Sequence, residues 1–341
     1  MNLLPDSQQQ EIIDATAGFL ESEFPLSRLH ESEEPVPISR ELWQTMAELG
    51  WFGLGLSEEL GGTGFTLAEE ALLFRELGRV LAPTNVLAAS LAVRVASLAH
   101  QSELAESIIG GNQRVAIAET ADMESTLGEN VTGRFRCIDG SDVELVLCSS
   151  AQGFALVTRD ALGQGDVVPC MDEHTHLEIF DIGGLPALAF APTEMDSIQN
   201  RGSVLAASML VGSSEAARDQ ATEYAKERQQ FGKPIGVFQA IKHKCADMAS
   251  RCEAATWQTF YAALAVRDGH ADATFQASAA KLLSAKAATE NGQANILVHG
   301  GYGVTAEYDA HLFLKRSHVL DLLIGTHGEH LTRVLHEPTA A

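Results

Sequence analysis

The apolar pattern of the chain changes period twice, and this change constrains the fold more than any other feature. From about residue 7 to 110 the apolar side chains recur at helical spacing. From about 114 to 200 they form short, alternating or β-branched runs that Gly, Asp and Pro separate. Long helical periodicity returns from about 203. Because strands and helices are segregated along the chain, the pattern predicts an α+β fold rather than an alternating doubly wound one.

The two transitions also predict where the domains begin and end. We expect an N-terminal helical domain at 1–112, a small antiparallel β-domain at 113–200 and a C-terminal helical bundle at 201–341. Ser7 and Ser39 precede helical runs. Both are predicted N-caps, because a serine hydroxyl at that position accepts a hydrogen bond from a free backbone N–H of the first turn.

The chain is acidic, and its charge excludes several classes of partner. It has 23 Lys and Arg against 46 Asp and Glu, a formal net charge of −23. We therefore expect no nucleic-acid partner and no membrane partner, since both need a basic face. No apolar run is long enough for a bilayer, and the N-terminus shows no secretion signal. Five cysteines without zinc-type spacing predict reduced thiols, a cytoplasmic location and no metal site.

The segment ERQQFGKPIGVFQAIKHKCADM, residues 227–248, is the most specific motif. A long amphipathic helix ends there, a turn with two glycines and a proline follows, and a second helix starts. Arg228 could hold a phosphate, Phe231 could pack on a flat heterocycle, and Gln239 could bond polar atoms on it. The basic residues between Lys226 and Lys244 would oppose the acidic field for an anionic ligand. A plain helix turn with a solvated arginine is an equally good interpretation of the same residues.

Four segments together resemble the acyl-CoA dehydrogenase family. They are R-x-x-F-G followed by F-Q from Arg228 to Gln239, LVHGGYGVTAEY from Leu297, ELGWFGLGLSEELGGTG near the N-terminus and DLLIGTHGEHL near the C-terminus. They occur in the family's order and span most of the chain. Members have an N-terminal helical domain, a middle β-domain and a C-terminal four-helix bundle, which is the order that the apolar pattern predicts.

The resemblance implies FAD as the cofactor, bound at a subunit interface, and an acyl-CoA as the substrate. In the family, the matching residues contact the ADP half of the neighbouring subunit's FAD. The residues that receive this role are Arg228, Phe231, Gln239, Gly300 and Gly301, with Thr326 from the family's E-G-T ending. His299 lies beside the glycines, and we interpret it as a helix-end cap or packing residue.

The chain departs from the family at the catalytic base. The reaction removes the α-proton of the acyl thioester, and most members use the Glu of Y-E-G-T for this. Ile324 occupies that position, and the family's alternative position falls near Gly202. Apart from Asp196, no carboxylate lies between Met195 and Glu215. Glu329 is about one and a half helical turns beyond Ile324 and is expected to face elsewhere. The sequence therefore predicts no catalytic residue in this chain.

The segments that hold the flavin ring in the family are also reduced. Glu119 and Thr120 are kept, but the chain then diverges from the family's T-E-P-x-A-G-S-D loop. No Trp occurs between Trp51 and Trp257 to match the W-I-T-N strand. On the ADP side, two glutamines of the family are replaced by Leu297 and Gly328.

Three hypotheses follow from this mixture of kept and lost features. The first is a subunit of a heteromeric acyl-CoA dehydrogenase, with α2β2 as the expected assembly, in which a paralogous subunit brings the base and the flavin cradle. Such heteromers are associated with bacterial degradation of steroid side chains, and an electron-transfer flavoprotein is the usual acceptor. The second is a homomeric acyl-CoA dehydrogenase with a relocated base. The third is a non-catalytic scaffold that has lost FAD, which Leu297 and Gly328 favour and which Arg228, Phe231 and Gln239 oppose.

Overall fold

The structure is a computed structural model, and it describes residues 3–31, 34–35, 37–122 and 124–337. These residues form two compact units. The helical unit contains the described residues of 3–31, 71–82 and 203–337. The sheet unit contains the described residues of 34–70 and 83–202. The domain boundaries expected at 112 and 200 stay predictions.

The helices and strands follow one another in the order helices, strands, helices. The helices are α1 (Ser7–Glu23), α2 (Arg40–Glu48), α3 (Leu67–Arg79), α4 (Asn85–Leu98), α5 (Ser102–Ile109), α6 (Ile198–Glu227), α7 (Gln239–Arg267), α8 (Ala273–His299), α9 (Ala310–Leu322) and α10 (His327–His336). The strands are β1 (Val115–Thr120), β2 (Asn130–Ile138), β3 (Leu145–Ser150), β4 (Gly153–Thr158), β5 (Asp166–Val167), β6 (Leu177–Pro186), β7 (Ala189–Pro192), β8 (Gln229–Gln230) and β9 (Lys233–Pro234). The predicted mixed helix-and-sheet fold is confirmed.

One of the two predicted helix caps is correct. The Ser39 hydroxyl accepts a hydrogen bond from the Leu42 N–H at 3.2 Å, as expected for the N-cap of α2. For α1 the prediction of Ser7 is wrong by one residue, because Asp6 is the N-cap. The Asp6 carboxylate accepts from the Gln9 N–H at 2.9 Å, and the Gln9 side chain bonds back to the Asp6 N–H. This reciprocal capping box satisfies two N–H groups that the helix leaves unpaired.

The sheet unit is built on a seven-stranded sheet with the order β5-β6-β2-β1-β3-β4-β7. All neighbouring strands are antiparallel except β1 and β3, which pair in parallel with Ile117 opposite Leu147. The predicted antiparallel sheet therefore needs one correction. The loop at 139–144 crosses the N-terminal end of β1, and the chain returns on the other side of β1, which makes β3 parallel to β1. One face carries a core that includes Phe135, Val146 and Phe180.

Small residues allow the helices of the helical unit to pack closely. In α6 a Cβ added at Gly212 would lie 1.8 Å from the carbonyl oxygen of Arg75 in α3. In α8, the Asn291 side-chain amide donates to the Ser214 hydroxyl of α6 at 2.8 Å. It also lies 3.2 Å from the Met248 carbonyl of α7. A buried amide thus joins α6, α7 and α8. No helix in the described ranges is long and apolar enough to cross a membrane.

Candidate functional site

A cavity of about 710 Å³ opens in the helical unit between the end of α6, the β8–β9 ribbon, the first turns of α7 and the end of α8. It is lined by four of the residues predicted to contact the cofactor, namely Arg228, Phe231, Gly300 and Gly301. Gln239, the first residue of α7, and Thr326, which precedes α10, are not among the lining residues. Residues that are distant in sequence therefore meet at one place.

Arg228 directly follows α6 and is fixed through its backbone. Its N–H donates to the Tyr224 carbonyl at 2.8 Å, and its own carbonyl accepts from the Ile235 N–H at 2.8 Å. Its side chain is exposed, and no ion pair or hydrogen bond engages the guanidinium among the residues that the structure describes. The backbone hydrogen bonds thus fix the position of the Arg228 Cα, while the guanidinium remains accessible to a ligand. An arginine in this state can bind a phosphate bidentately.

Phe231 lies at the tip of the β8–β9 ribbon, between Gln230 and Lys233, which face each other across it. Its φ is +53°, and its side chain is 90% exposed. A bulky residue in the left-handed region is uncommon and costs about 1–3 kcal/mol. The ring meets Phe238 edge to face, with 6.1 Å between the centroids. An exposed, strained phenylalanine at a cavity mouth is suited to packing against a planar ligand.

The glycine pair gives the cavity an open wall at the end of α8. Gly300 has φ +64° and ψ −141°, a conformation that glycine adopts far more readily than other residues. A Cβ added at Gly300 or Gly301 would meet no atom within 4 Å, so the space beside both backbones is open. The carboxyl end of a helix carries partial negative charge. The glycines leave open space at the cavity wall, and Arg228 is the cationic side chain among the lining residues.

Aromatic rings lie beside the glycine pair. The ring of His299 lies 4.0 Å from Tyr224 and 4.6 Å from Tyr308, measured between centroids. Its Nδ1 lies 2.8 Å from the Asn295 carbonyl oxygen, and its Nε2 lies 2.9 Å from the Tyr308 hydroxyl. Burial lowers the pKa of His299 and raises the pKa of Tyr308 to about 12. His299 packs among these rings as expected, but the contact with Tyr308, nine residues further on, was not predicted from the sequence.

Thr326 and Glu329 form the N-terminal cap of α10. The Thr326 hydroxyl donates to a Glu329 carboxylate oxygen at 2.8 Å, and the Thr326 N–H donates to the same oxygen at 2.7 Å. The Glu329 N–H returns a bond to the hydroxyl. This capping box uses both side chains locally. The position of Thr326 gives no support to its predicted contact with FAD, which stays a prediction, and Glu329 is held in a structural role.

Ile324, at the position of the family's base, is fully buried and has φ +60°. This is a strained backbone for a β-branched residue. Its carbonyl accepts a hydrogen bond from Nε2 of His330 at 3.1 Å. Burial, together with the charges of Lys281 and Arg333, lowers the pKa of His330 to about 3. The neighbourhood of Ile324 thus offers an apolar side chain and a neutral imidazole that already donates its proton.

The alternative position, Gly202, lies in the first turns of α6 within the sheet unit, next to buried charges. Arg201 lies 3.6 Å from a carboxylate oxygen of Glu70 and 3.6 Å from one of Asp196. Asp196 also pairs with Arg94. Burial raises the pKa of Glu70. Sequence reasoning missed Glu70 because it lies far along the chain, and only the fold brings it beside Arg201.

The cavity in the helical unit fits the ADP part of FAD. It combines a guanidinium that pairs with none of the described residues, an open glycine wall, exposed aromatic rings and a volume sufficient for a nucleotide. The described residues include no group of three or more His, Cys, Asp or Glu that could hold a metal ion. The fold and the shape of this cavity agree with the expectation that the chain binds a nucleotide cofactor.

Comparisons with known proteins identify the family. Models described as "Acyl-CoA dehydrogenase, N-terminal domain" and "Acyl-CoA dehydrogenase, C-terminal domain" match residues 6–102 and 196–337. Acyl-CoA dehydrogenase IpdE2 of Mycobacterium tuberculosis is 31% identical over 294 residues, covering 86% of this chain and 85% of that protein. The chain belongs to the acyl-CoA dehydrogenase family of oxidoreductases, and FAD is its cofactor.

Solved structures of heteromeric relatives share the fold. A chain of the ChsE4–ChsE5 complex from Mycobacterium tuberculosis superimposes with a TM-score of 0.84 at 20% identity, covering 100% of both chains. A chain of the Tcur3481–Tcur3483 steroid acyl-CoA dehydrogenase superimposes with a TM-score of 0.83 at 23% identity, covering 96% of both. The chain therefore shares the fold of chains in these two structures.

Proposed function

We propose that this chain is one subunit of a hetero-oligomeric acyl-CoA dehydrogenase, and that its helical unit binds the ADP half of FAD. A paralogous subunit, in an α2β2 assembly, supplies the catalytic carboxylate and the flavin cradle. The observation that carries the proposal is the contrast between two sites in the helical unit. The cavity around Arg228 keeps the features that a nucleotide needs. The position of the base holds Ile324, which cannot accept a proton.

The residues of this chain have binding roles in the proposal. When bound, FAD supplies the acceptor for the hydride that leaves the β-carbon of the acyl thioester. Arg228 neutralises part of the pyrophosphate charge, and Gly300 and Gly301 let the backbone approach it. Phe231 packs on the adenosine part. The α-proton is taken by the partner's carboxylate, because general-base catalysis requires a group that can accept it.

The names of the similar proteins support the finer features of the proposal. One similar structure is named as the ChsE4–ChsE5 complex, and another carries the paired names Tcur3481 and Tcur3483, which supports a paralogous partner. One of them is named a steroid acyl-CoA dehydrogenase, which supports a steroid-derived acyl-CoA as the substrate class. An electron-transfer flavoprotein is the proposed electron acceptor.

Co-expression tests the proposal directly. The chain should be purified alone and together with the acyl-CoA dehydrogenase subunit encoded beside it, and both preparations assayed for bound flavin and for acyl-CoA-dependent reduction of a dye. We expect flavin and activity only in the co-purified complex. A yellow, active preparation of this chain alone would contradict the proposal. A stable complex that binds no flavin would favour the scaffold hypothesis.

One observation favours a second candidate, a homomeric enzyme with a relocated base. Glu70 is a buried carboxylate beside Arg201, one residue from the alternative position at Gly202, and burial raises its pKa. Raised carboxylate pKa values are common among catalytic bases. Glu70→Gln separates the candidates. If Glu70 is the base, this variant loses turnover while it keeps bound flavin. If the partner supplies the base, the complex keeps turnover.

A further inference from the structure

The segment 300–309, between α8 and α9, carries the glycine wall of the cavity, and contacts at both of its ends hold it. We call it the glycine segment. It begins immediately after His299, the last residue of α8, and ends immediately before Ala310, the first residue of α9. At its start, the Gly300 N–H donates to the Leu297 carbonyl. Near its end, the Tyr308 hydroxyl lies 2.9 Å from Nε2 of His299. This side-chain bond joins the end of the segment back to its start.

The chemistry of the neighbours fixes the direction of this bond. Nδ1 of His299 lies 2.8 Å from the Asn295 carbonyl oxygen, which can only accept, so Nδ1 carries the proton. A neutral imidazole then has an acceptor at Nε2, and the Tyr308 hydroxyl is the donor. Burial lowers the pKa of His299, which favours the neutral form. The Asn295 carbonyl therefore selects the tautomer of His299, and the Tyr308 bond to Nε2 fixes the orientation of the ring.

Ring contacts reinforce this arrangement. The Tyr308 ring lies 4.6 Å from the Tyr302 ring, and the Tyr224 ring of α6 lies 4.0 Å from the His299 ring. Tyr224, His299 and Tyr302 line the cavity, whereas Tyr308 is not among the lining residues. Tyr308 is placed to influence the cavity through His299 rather than by touching its contents.

We propose that Tyr308 is a positioning residue of the nucleotide site: its hydroxyl holds His299, and His299 in turn holds Gly300 and Gly301 at the cavity wall. The proposal rests on the assignment of this cavity to the ADP half of FAD. The proposal adds Tyr308 to the nucleotide site. Tyr308 is the last residue of the motif that begins at Leu297, but the glycines of that motif do not by themselves indicate a role for it.

Tyr308→Phe tests the proposal, because it removes the hydroxyl and keeps the ring. Binding of ADP to the flavin-free complex of this chain with the paralogous subunit is measured by titration calorimetry. One net hydrogen bond lost from the positioning of the wall predicts a Kd increase of about fivefold. Tyr261→Phe in α7 is the matched control, since Tyr261 does not line the cavity, and its Kd should equal that of the wild type.

A double-mutant cycle shows whether Tyr308 acts through His299. In a His299→Phe background, Tyr308→Phe should change the Kd for ADP by less than about twofold, because the partner of the hydroxyl is already gone. The same fivefold loss in both backgrounds would overturn the proposal. Circular dichroism and thermal melting confirm that each variant is folded.

Nitrogen NMR of the His299 ring provides a measurement that a purely structural role would not change. In the wild type we expect a protonated Nδ1 and an unprotonated, hydrogen-bonded Nε2, and in Tyr308→Phe a shift of the Nε2 signal. An unchanged His299 signal together with weaker ADP binding would overturn the proposed route.

If wild-type protein binds ADP and Tyr308→Phe binds it equally well, this inference is wrong while the proposed function stands. If wild-type protein binds neither ADP nor FAD, alone or in the complex, the proposed function itself is wrong.

Discussion

Replacing Arg228 by alanine should weaken nucleotide binding without unfolding the chain. The guanidinium is exposed, and no described residue pairs with it, so its removal breaks no internal contact. The backbone bonds of Arg228 to Tyr224 and Ile235 do not depend on its side chain. We therefore expect the free energy of unfolding to change by less than about 0.5 kcal/mol.

The size of the binding effect follows from the charge of the lost group. A hydrogen bond to a charged group contributes about 1.5–3 kcal/mol, and solvent exposure places Arg228 at the lower end of that range. At about 1.4 kcal/mol per factor of ten, the Kd for ADP should rise about tenfold at low salt. The difference from the wild type should shrink as salt is added, because exposed charges are screened.

Two further variants give the prediction its controls. Arg228→Lys keeps the charge but loses the bidentate geometry, so its Kd should lie between those of the wild type and the alanine variant. Arg134→Ala removes an equal charge from an exposed site in the sheet unit, and calorimetry should show an unchanged Kd. If Arg228→Ala and Arg134→Ala weaken binding equally, the effect belongs to net charge and the assigned role of Arg228 is refuted.

Three other predictions concern pH, the C-terminal cap and helix packing. Because the folded-state pKa of His330 is lowered to about 3, only the unfolded chain takes up a proton near pH 6.5. The contribution of His330 to the free energy of unfolding is then fully present above that pH, and it falls by about 1.4 kcal/mol per pH unit as the solution is acidified. Thermal melts should show that His330→Gln removes this loss and that His336→Gln keeps it. Glu329→Gln should leave the turnover of the complex within about twofold of the wild type, because the Gln side chain can still accept the capping bonds; loss of turnover would show that Glu329 is the base. Gly212→Ala should lower the free energy of unfolding by about 2 kcal/mol or more, whereas Gly18→Ala, with open space around it, should not, as denaturant titration would show.

The segregation of strands and helices was predictable because it depends on local periodicity. The strand order was not, since alternation shows which residues face the core but not which strands pair. The parallel pairing of β1 and β3 results from the crossing loop at 139–144, and nothing in its composition signals a crossing. The N-cap of α1 was misplaced by one residue because Asp6 and Ser7 are both good caps, and only the geometry selects between them.

The candidate site was predictable where residues lie within one motif. Arg228 and Phe231 share a turn, and the glycine pair ends a helix, so motif recognition located them. Gln239 and Thr326 were assigned by the same resemblance, yet neither lines the cavity. Contacts between segments that are far apart in the sequence could not be predicted from the sequence alone.

Proton exchange at the α-carbon of the acyl thioester tests the central claim most directly, because it requires the base alone and not the hydride acceptor. The chain purified alone, and its complex with the paralogous subunit, should be incubated with an acyl-CoA in D2O, and deuterium uptake followed by NMR. We predict exchange by the complex, no exchange by this chain alone, and loss of exchange when the partner's catalytic Glu is replaced by Gln. Exchange catalysed by this chain alone would contradict the proposal that Ile324 leaves it without a base.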